Sequence, residues 1–130
     1  MAIIQDAIYD RLTTFAGLTA LVSARSYPGK PPQDPTVPFV LYRLISAERV
    51  SAMGADTGNV AHMVEVNAED LTAAGASDVA EQIRAALQRW SGTHASVVVA
   101  DSFAVNQRTF FDTGREHFRE LQEFRVWSSE

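Results

Sequence analysis

The sequence predicts an α+β domain of two layers, a mainly antiparallel four-stranded sheet with helices packed on one face, in the order α-β-β-α-β-β. Two observations support this class. Two segments repeat apolar residues at helical spacing, and four segments have the alternating or continuous apolar pattern of strands. The strand segments come in two pairs, one after each helix. With 130 residues, the chain fits a single domain spanning 1–130.

The first helix is predicted over about residues 2–15 and is followed by one short helical turn. Its apolar stripe recurs at spacings of four, four and three, at Ile4, Ile8, Leu12 and Phe15. We expect Gly17 to end this helix as a left-handed cap. The further turn carries Leu18, Leu21 and Val22. Both apolar stripes are interpreted as core packing.

All five prolines lie between residues 27 and 38. Proline fixes its own φ and biases the preceding residue toward extended backbone. We therefore predict that 27–38 is an extended, semi-rigid surface segment without a ladder of its own. A proline motif that binds a partner domain is the less favoured alternative.

The first pair of strands is predicted at 39–50 and 60–67. The residues between them, 51–58, are small and rich in glycine, which indicates a flexible connection. These segments predict an antiparallel hairpin with a long tip.

The second helix is predicted over residues 72–90. Its apolar face is formed by Val79, Ile83, Leu87 and Trp90. Thr72 or Ser77 is suited to cap its start, and Gly92 is expected to end it.

The second pair of strands is predicted at 97–108 and 116–127, with turn residues at 111–114. The last of these strands is unusually polar, because Arg, Glu and Gln interrupt its apolar residues. We expect one face of it to be covered by its own domain and the other by water or another subunit.

Composition excludes several classes of protein. The absence of cysteine excludes disulfides and thiolate chemistry, and a formal net charge of −5 argues against a dedicated nucleic-acid binder. No apolar run approaches the ~20 residues that cross a bilayer. The first residues lack the pattern of a signal peptide. We expect a soluble protein that is made in the cytoplasm and contacts no membrane.

No catalytic, cofactor-binding or metal-binding residue is predicted. The three histidines, His62, His94 and His117, lack metal-ligand spacing and are expected to be solvated or at strand edges. An acid/base pair or a hard-cation site at Glu65, Glu69 and Asp70 is possible on composition. A polar strand end is favoured instead, since helix starts attract acids. Nucleophile and phosphate-loop motifs are missing.

Six arginines lie on or near the predicted strands: Arg43, Arg49, Arg108, Arg115, Arg119 and Arg125. Four glutamates are interspersed among them: Glu48, Glu116, Glu120 and Glu123. This mixture indicates cross-strand or intersubunit ion pairs. An anion-binding face is less favoured because the acids cancel the positive charge.

Several short segments follow one another along nearly the whole chain: LTALV at 18–22, RSYP at 25–28, VPFVLYR at 37–43, VEV at 64–66, AAL at 85–87 and FRVW at 124–127. In their order and in total length, they resemble the small phage tail-completion proteins, also called tail terminators or tail-to-head joining proteins, of siphophage-like particles and prophages. The chain departs from that pattern at 67–70, where the family more often shows an acidic residue followed by an aromatic one.

The resemblance implies an α/β fold and a structural, non-enzymatic role without a cofactor. It implies a ring of identical subunits, commonly a hexamer, that caps the tail tube and joins it to the neck or connector of the DNA-filled head. The partners would be further copies of the chain, the tail tube protein and the neck protein. DNA would pass through the ring without specific binding. The protein would be assembled in the host cytoplasm and reside in the virion, at the tail–neck junction.

Two regions are candidates for contact with neighbouring subunits or the tube, namely the tip of the first hairpin and the proline-rich segment, together with two arginines of the last strand. The candidate residues are Arg49, Ser51, Met53, Asp56, Pro31, Pro32, Arg119 and Arg125. A small-ligand-binding or regulatory α+β domain is the alternative function, and would require an apolar concavity with converging polar groups. A hydrolase or metal-dependent enzyme is least favoured.

Overall fold

The computed structural model describes residues 3–33, 35–52, 55–114 and 116–129, with backbone only for 50–52 and 55–57. The described chain forms three helices and six strands. In chain order they are α1 Ile4–Thr14, α2 Ala16–Val22, β1 Ser26–Pro28, β2 Phe39–Ala52, β3 Ala55–Asp70, α3 Ala73–Leu87, β4 Gly92–His94, β5 Val97–Asp112 and β6 His117–Ser129.

The predicted α+β class is confirmed, but the predicted sheet is wrong in its number of strands and its order. The described strands form one six-stranded, curled sheet in the order β1-β2-β3-β6-β5-β4. The four long strands do pair antiparallel, whereas β1 runs parallel to β2, so the sheet is mixed. The two missed strands have three residues each. Segments so short carry no readable alternation.

The proline-rich segment also begins differently from the prediction. We expected no ladder in 27–38, but Tyr27 and Pro28 belong to β1 and pair with β2. Directly after β1, the Gly29 N–H donates to the Tyr42 carbonyl at 2.9 Å. Proline can end this strand because a parallel edge strand leaves alternate N–H groups unused.

The helix boundaries correct two predicted caps. α1 ends before Phe15, whose backbone is extended, and Gly17 lies within α2. α3 likewise ends at Leu87, and Gly92 begins β4. Thr72 is confirmed as the cap of α3, because its hydroxyl accepts the Gly75 N–H at 3.0 Å.

The first hairpin is longer and more regular than expected. Its strands extend to Ala52 and restart at Ala55, so most of the predicted loop at 51–58 is strand. Ser51 and Asp56 are register partners in this extension. The predicted long, flexible tip is therefore wrong. Glycine and alanine lowered the strand signal there, yet pairing with a neighbouring strand overrides weak propensity.

One hydrophobic core lies between the helices and one face of the sheet. α3 packs across β3 and β6, and α1 and α2 pack beside it. The side chains that fill this layer are Ile8, Leu12, Leu18, Val22, Val40, Val64, Val66, Ile83, Leu87, Phe124 and Val126. β6, the polar strand of the sequence, lies in the middle of the sheet between β3 and β5.

Candidate functional site: the helix-free face of the sheet

The opposite face of the sheet carries no helix, and its residues follow from the strand register. Side chains alternate across a strand, so the cross-strand partners of one face can be read directly from the pairing. On β3 and β6 this face carries Met63, Glu65, Asn67, Glu69, Arg119, Leu121, Glu123 and Arg125. We call this surface the helix-free face.

A row of charges crosses its centre. Glu65 on β3 lies directly opposite Glu123 on β6, a like-charge pair that would repel by itself. Each acid is paired outward: the Arg43 guanidinium binds Glu65, and Arg108 lies 3.7 Å from Glu123. The two arginines are 62% exposed, whereas the carboxylates are largely covered. Two outer cations thus stabilise an acidic centre.

A second cluster lies toward the end of the sheet where β3 finishes. The Glu69 carboxylate is fully buried and accepts from Arg119 at 3.1 Å, while His117 Nδ1 lies 3.5 Å from it. Arg119 also donates to Asp112 at 2.8 Å and lies over the Phe110 ring. A buried carboxylate is tolerated only when paired in this way.

A cavity of about 220 Å³ opens between the helix-free face and the start of the proline-rich segment. It is lined by Gly29, Lys30, Pro31, Leu41, Tyr42, Arg43, Glu65, Asn67 and Arg119. We call it the Lys30 cavity. Asn67 is only 5% exposed. Within the described part of the chain, neither its Oδ1 atom nor Arg119 Nε has a hydrogen-bond partner.

The candidate contact residues fall into two groups. Pro31 and Arg119, far apart in sequence, meet at the Lys30 cavity, and the exposed Pro32 follows directly. Arg49, Ser51 and Asp56 lie at the far end of the first hairpin. Met53 lies outside the described residues.

Arg125 lies between these groups, at mid-sheet. Its cross-strand partners are Met63 and Phe103, both apolar. Over the residues that the structure describes, its guanidinium has no ion pair. A half-buried arginine without an acid beside it is a candidate for contact with another chain.

Sequence reasoning missed Lys30 and Asn67, and it gave Arg43 no role beyond an ion pair. Lys30 is the only lysine in the chain, which is a signal the sequence offered. Asn67 is the first residue of the segment 67–70, where the sequence departs from the family pattern. Its burial depends on the register of β2, β3 and β6, which the sequence alone did not supply.

The three histidines are half-buried, and each has a polar neighbour within the fold. They were expected to be solvated or at strand edges, and only His94 lies in an edge strand, β4. His62 Nε2 lies 2.9 Å from the Ser128 hydroxyl, Trp90 Nε1 donates to His94 at 2.7 Å, and His117 contacts Glu69. No group of three metal-ligating side chains occurs among the described residues. In the same part of the chain, no helix is long and apolar enough to cross a membrane.

On the helix-covered face, Tyr42 shows what burial does to an ionisable group. Its side chain is 4% exposed. Burial raises the pKa of the Tyr42 phenol to about 12, and the neighbouring Tyr9 and Asp6 add to this shift. This layer therefore favours a neutral phenol, whereas the carboxylates of the helix-free face are paired with arginines.

The free edge of β5 is capped by side chains. Asp101 Oδ1 accepts the Ser102 N–H at 2.9 Å, and Asn106 Oδ1 accepts the Gln107 N–H at 2.9 Å. Between them, Gln88 from the end of α3 accepts the Ala104 N–H at 2.9 Å. Such caps disfavour the addition of another strand along this part of the edge.

The fold is one that occurs in a phage-like particle. A chain from a solved structure described as the virion of a native gene transfer agent (GTA) particle superposes with a TM-score of 0.79 at 18% sequence identity. The match covers 98% of this chain and 95% of that one. Among curated proteins, none matches this chain.

The sequence itself defines the family. It matches the family described as tail completion protein gp17 over residues 6–129, and the chain belongs to that family. The protein is thus a structural tail protein, and the resemblance noted in the sequence is confirmed.

Proposed function

We propose that this protein is a tail terminator, a subunit of the ring that ends the tail and joins it to the neck of a siphophage-like particle. The observation that carries the proposal is the family match over residues 6–129, supported by a fold shared over nearly the whole chain with a virion component. The ring contains several copies of the chain, and six copies are expected from the family resemblance.

The chemistry of the helix-free face supports a role in assembly. Its central carboxylates are paired, its outer arginines are exposed, and Arg125 has no acid beside it in the described chain. Rims of protein interfaces are polar and rich in arginine in this manner. A face of this kind is suited to contact further protein rather than to carry out a reaction.

The proposed partners are further copies of the chain, the tail tube protein and the neck protein. We assign the contacts to the far end of the first hairpin, with Arg49, Ser51 and Asp56, and to the Lys30 cavity, and Met53 is proposed from the sequence alone. The capped edge of β5 favours such side-chain contacts over extension of the sheet between copies. DNA passes through the ring without specific binding, consistent with a net charge of −5.

Reversing one charge tests the proposal. In Arg125→Glu we expect particle yield to fall on the order of tenfold, because the reversed charge opposes contact with a neighbouring chain. Arg125→Gln removes the charge without adding repulsion and should give a smaller fall. The measurement is the titre of complete particles, with the melting temperature of the purified protein recorded in parallel.

The matched control is Arg84→Glu, at an exposed position of α3 on the helical layer. We expect it to leave the yield within about twofold of wild type. Equal yields for Arg125→Glu and wild type would refute the placement of Arg125 at a contact. Complete, infectious particles that lack the protein altogether would refute the tail-terminator function.

A further inference from the structure

The Lys30 cavity combines features that point to a ligand. Three of its lining side chains are cations, Lys30, Arg43 and Arg119, against the single acid Glu65. Arg43 is already paired with Glu65, and Arg119 with Glu69. Lys30 is exposed and has no acidic partner among the residues described here. One positive charge at the cavity is therefore uncompensated in a chain that is acidic as a whole.

The buried polar atoms of the cavity specify the kind of group that fits. Arg119 Nε is a donor without a partner among the described residues, and Asn67 Oδ1 likewise has no hydrogen bond there. A half-turn of the side-chain amide exchanges its oxygen and its NH2 group, so that Asn67 can donate as well. A carboxylate accepts up to about four hydrogen bonds and donates none, and it would satisfy these donors together with the Lys30 amine.

We propose that the Lys30 cavity receives the carboxylate of an acidic side chain from a second copy of this chain. This proposal rests on the proposed ring and names one contact within it. The partner copy completes the site, because its carboxylate supplies the acidic partner that Lys30 does not have among the described residues.

The charge balance favours a second copy as the source. The chain has 16 acidic against 11 basic residues, so two copies carry a net repulsion that a specific contact between a cation and a carboxylate would offset. A ring requires contacts between two different patches of each subunit, since its interfaces are head-to-tail. A cationic cavity on one side and an acidic residue on the other give an attractive contact in that geometry.

The size of the cavity agrees with a side chain rather than a larger molecule. About 220 Å³ holds one acidic side chain with its surrounding waters, whereas drug-sized ligands occupy roughly 300–1,000 Å³. One wall is formed by Gly29 and Pro31 of the proline-rich segment, and Lys30 between them is exposed. A projecting residue of a neighbouring subunit can reach the cavity beside Lys30.

The single lysine makes a direct test possible. A carbodiimide joins an amine and a carboxylate that are in contact without adding a spacer, and Lys30 is the only side-chain amine of the protein. Purified particles are treated with the reagent, digested and analysed by mass spectrometry. Particles assembled from a mixture of ¹⁵N-labelled and unlabelled protein separate links between copies from links within one copy.

We expect a link between Lys30 and an acidic peptide of a different copy. A Lys30 link only within one chain, or only to another protein, would overturn the proposal. So would the absence of any Lys30 link in particles that contain the protein. If inorganic phosphate binds the purified protein at Lys30 and no link between copies forms, the cavity belongs to a free anion, which also overturns it.

Matched variants separate charge from bulk. Lys30→Arg keeps the positive charge and should retain particle yield within about twofold, whereas Lys30→Glu should lower it on the order of tenfold. Position 30 is exposed, so the melting temperature of both variants should stay near that of wild type. Normal yield for Lys30→Glu contradicts the cavity proposal alone. Absence of the wild-type protein from particles contradicts the tail-terminator function instead.

Discussion

The two faces of the sheet are built from the same four long strands, yet they are filled by opposite chemistry. The helix-covered face buries Val64, Val66, Phe124 and Val126 under α3. The helix-free face places Glu65, Asn67 and Glu69 at the alternating positions of β3, and all three are nearly or fully buried. Along β3, buried apolar side chains on one face alternate with buried polar side chains on the other, and the two glutamates among the latter are paired with arginines. One face stabilises the subunit, and the other is suited to contact its neighbours.

The largest effect should come from truncating the helix-covered face. We expect Phe124→Ala to lower the free energy of unfolding by about 3–5 kcal/mol, because a fully buried aromatic leaves a cavity. Phe103→Ala on the helix-free face is the matched control. Its ring is half-buried beside Arg89, so about 1 kcal/mol is expected. Urea unfolding measures both, and equal losses would contradict the contrast between the faces.

The next effect concerns the buried carboxylate of the helix-free face. Glu69→Gln should lower the free energy of unfolding by about 2–3 kcal/mol, since Arg119 loses a charged partner within the fold. The double variant Glu69→Gln/Arg119→Met removes both charges. It should cost less than the sum of the two single variants. A loss below about 0.5 kcal/mol for Glu69→Gln would show that the cluster contributes little.

The helix-covered face should also make the stability of the protein depend on pH, through the buried Tyr42 phenol. Because the pKa of Tyr42 is about 12 in the folded protein against 10 when unfolded, the unfolded state releases this proton first. The contribution of Tyr42 to stability should therefore be constant below pH 10 and should be lost as the pH rises from 10 toward 12. Tyr42→Phe should flatten that fall in urea titrations across this range. An identical slope in the variant would contradict the assigned cause.

The smallest effect is expected for the exposed end of the charge row. Glu65→Gln should change the free energy of unfolding by less than about 1 kcal/mol, since Arg43 is 62% exposed and remains solvated. It also relieves the repulsion from Glu123 opposite. If Glu65→Gln lowered the free energy of unfolding as much as Glu69→Gln, the exposed Arg43–Glu65 pair would contribute as much as the buried Arg119–Glu69 pair, which contradicts this expectation.

Much of the fold follows from periodicity. The apolar faces of α1 and α3 and the four long strands were predictable, because each has enough residues to repeat its period several times. β1 and β4 were not, since three residues carry no period. The ends of α1 and α3 were also misplaced. Gly17 and Gly92 were predicted to cap the C-termini of these two helices. The helices end earlier instead, where the backbone becomes extended at Phe15 and Gln88.

The site was predictable only in part. The polar character of β6 and the role of Arg119 in ion pairing could be read from the mixture of charges. That Glu69 is the partner of Arg119 could not be predicted. The two residues are 50 positions apart in sequence and meet only because β3 pairs with β6. The Lys30 cavity forms where the proline-rich segment passes the edge of β2, a tertiary contact that no local pattern encodes.

The central claim is that copies of this chain cover the helix-free face at the end of a tail. Electron cryomicroscopy of purified tails at their neck end tests it most directly. The account predicts a closed ring of this fold, with the Lys30 cavity of each subunit filled by an acidic side chain of the next. Subunits whose Lys30 cavity and helix-free face stay open to solvent throughout the ring would contradict it.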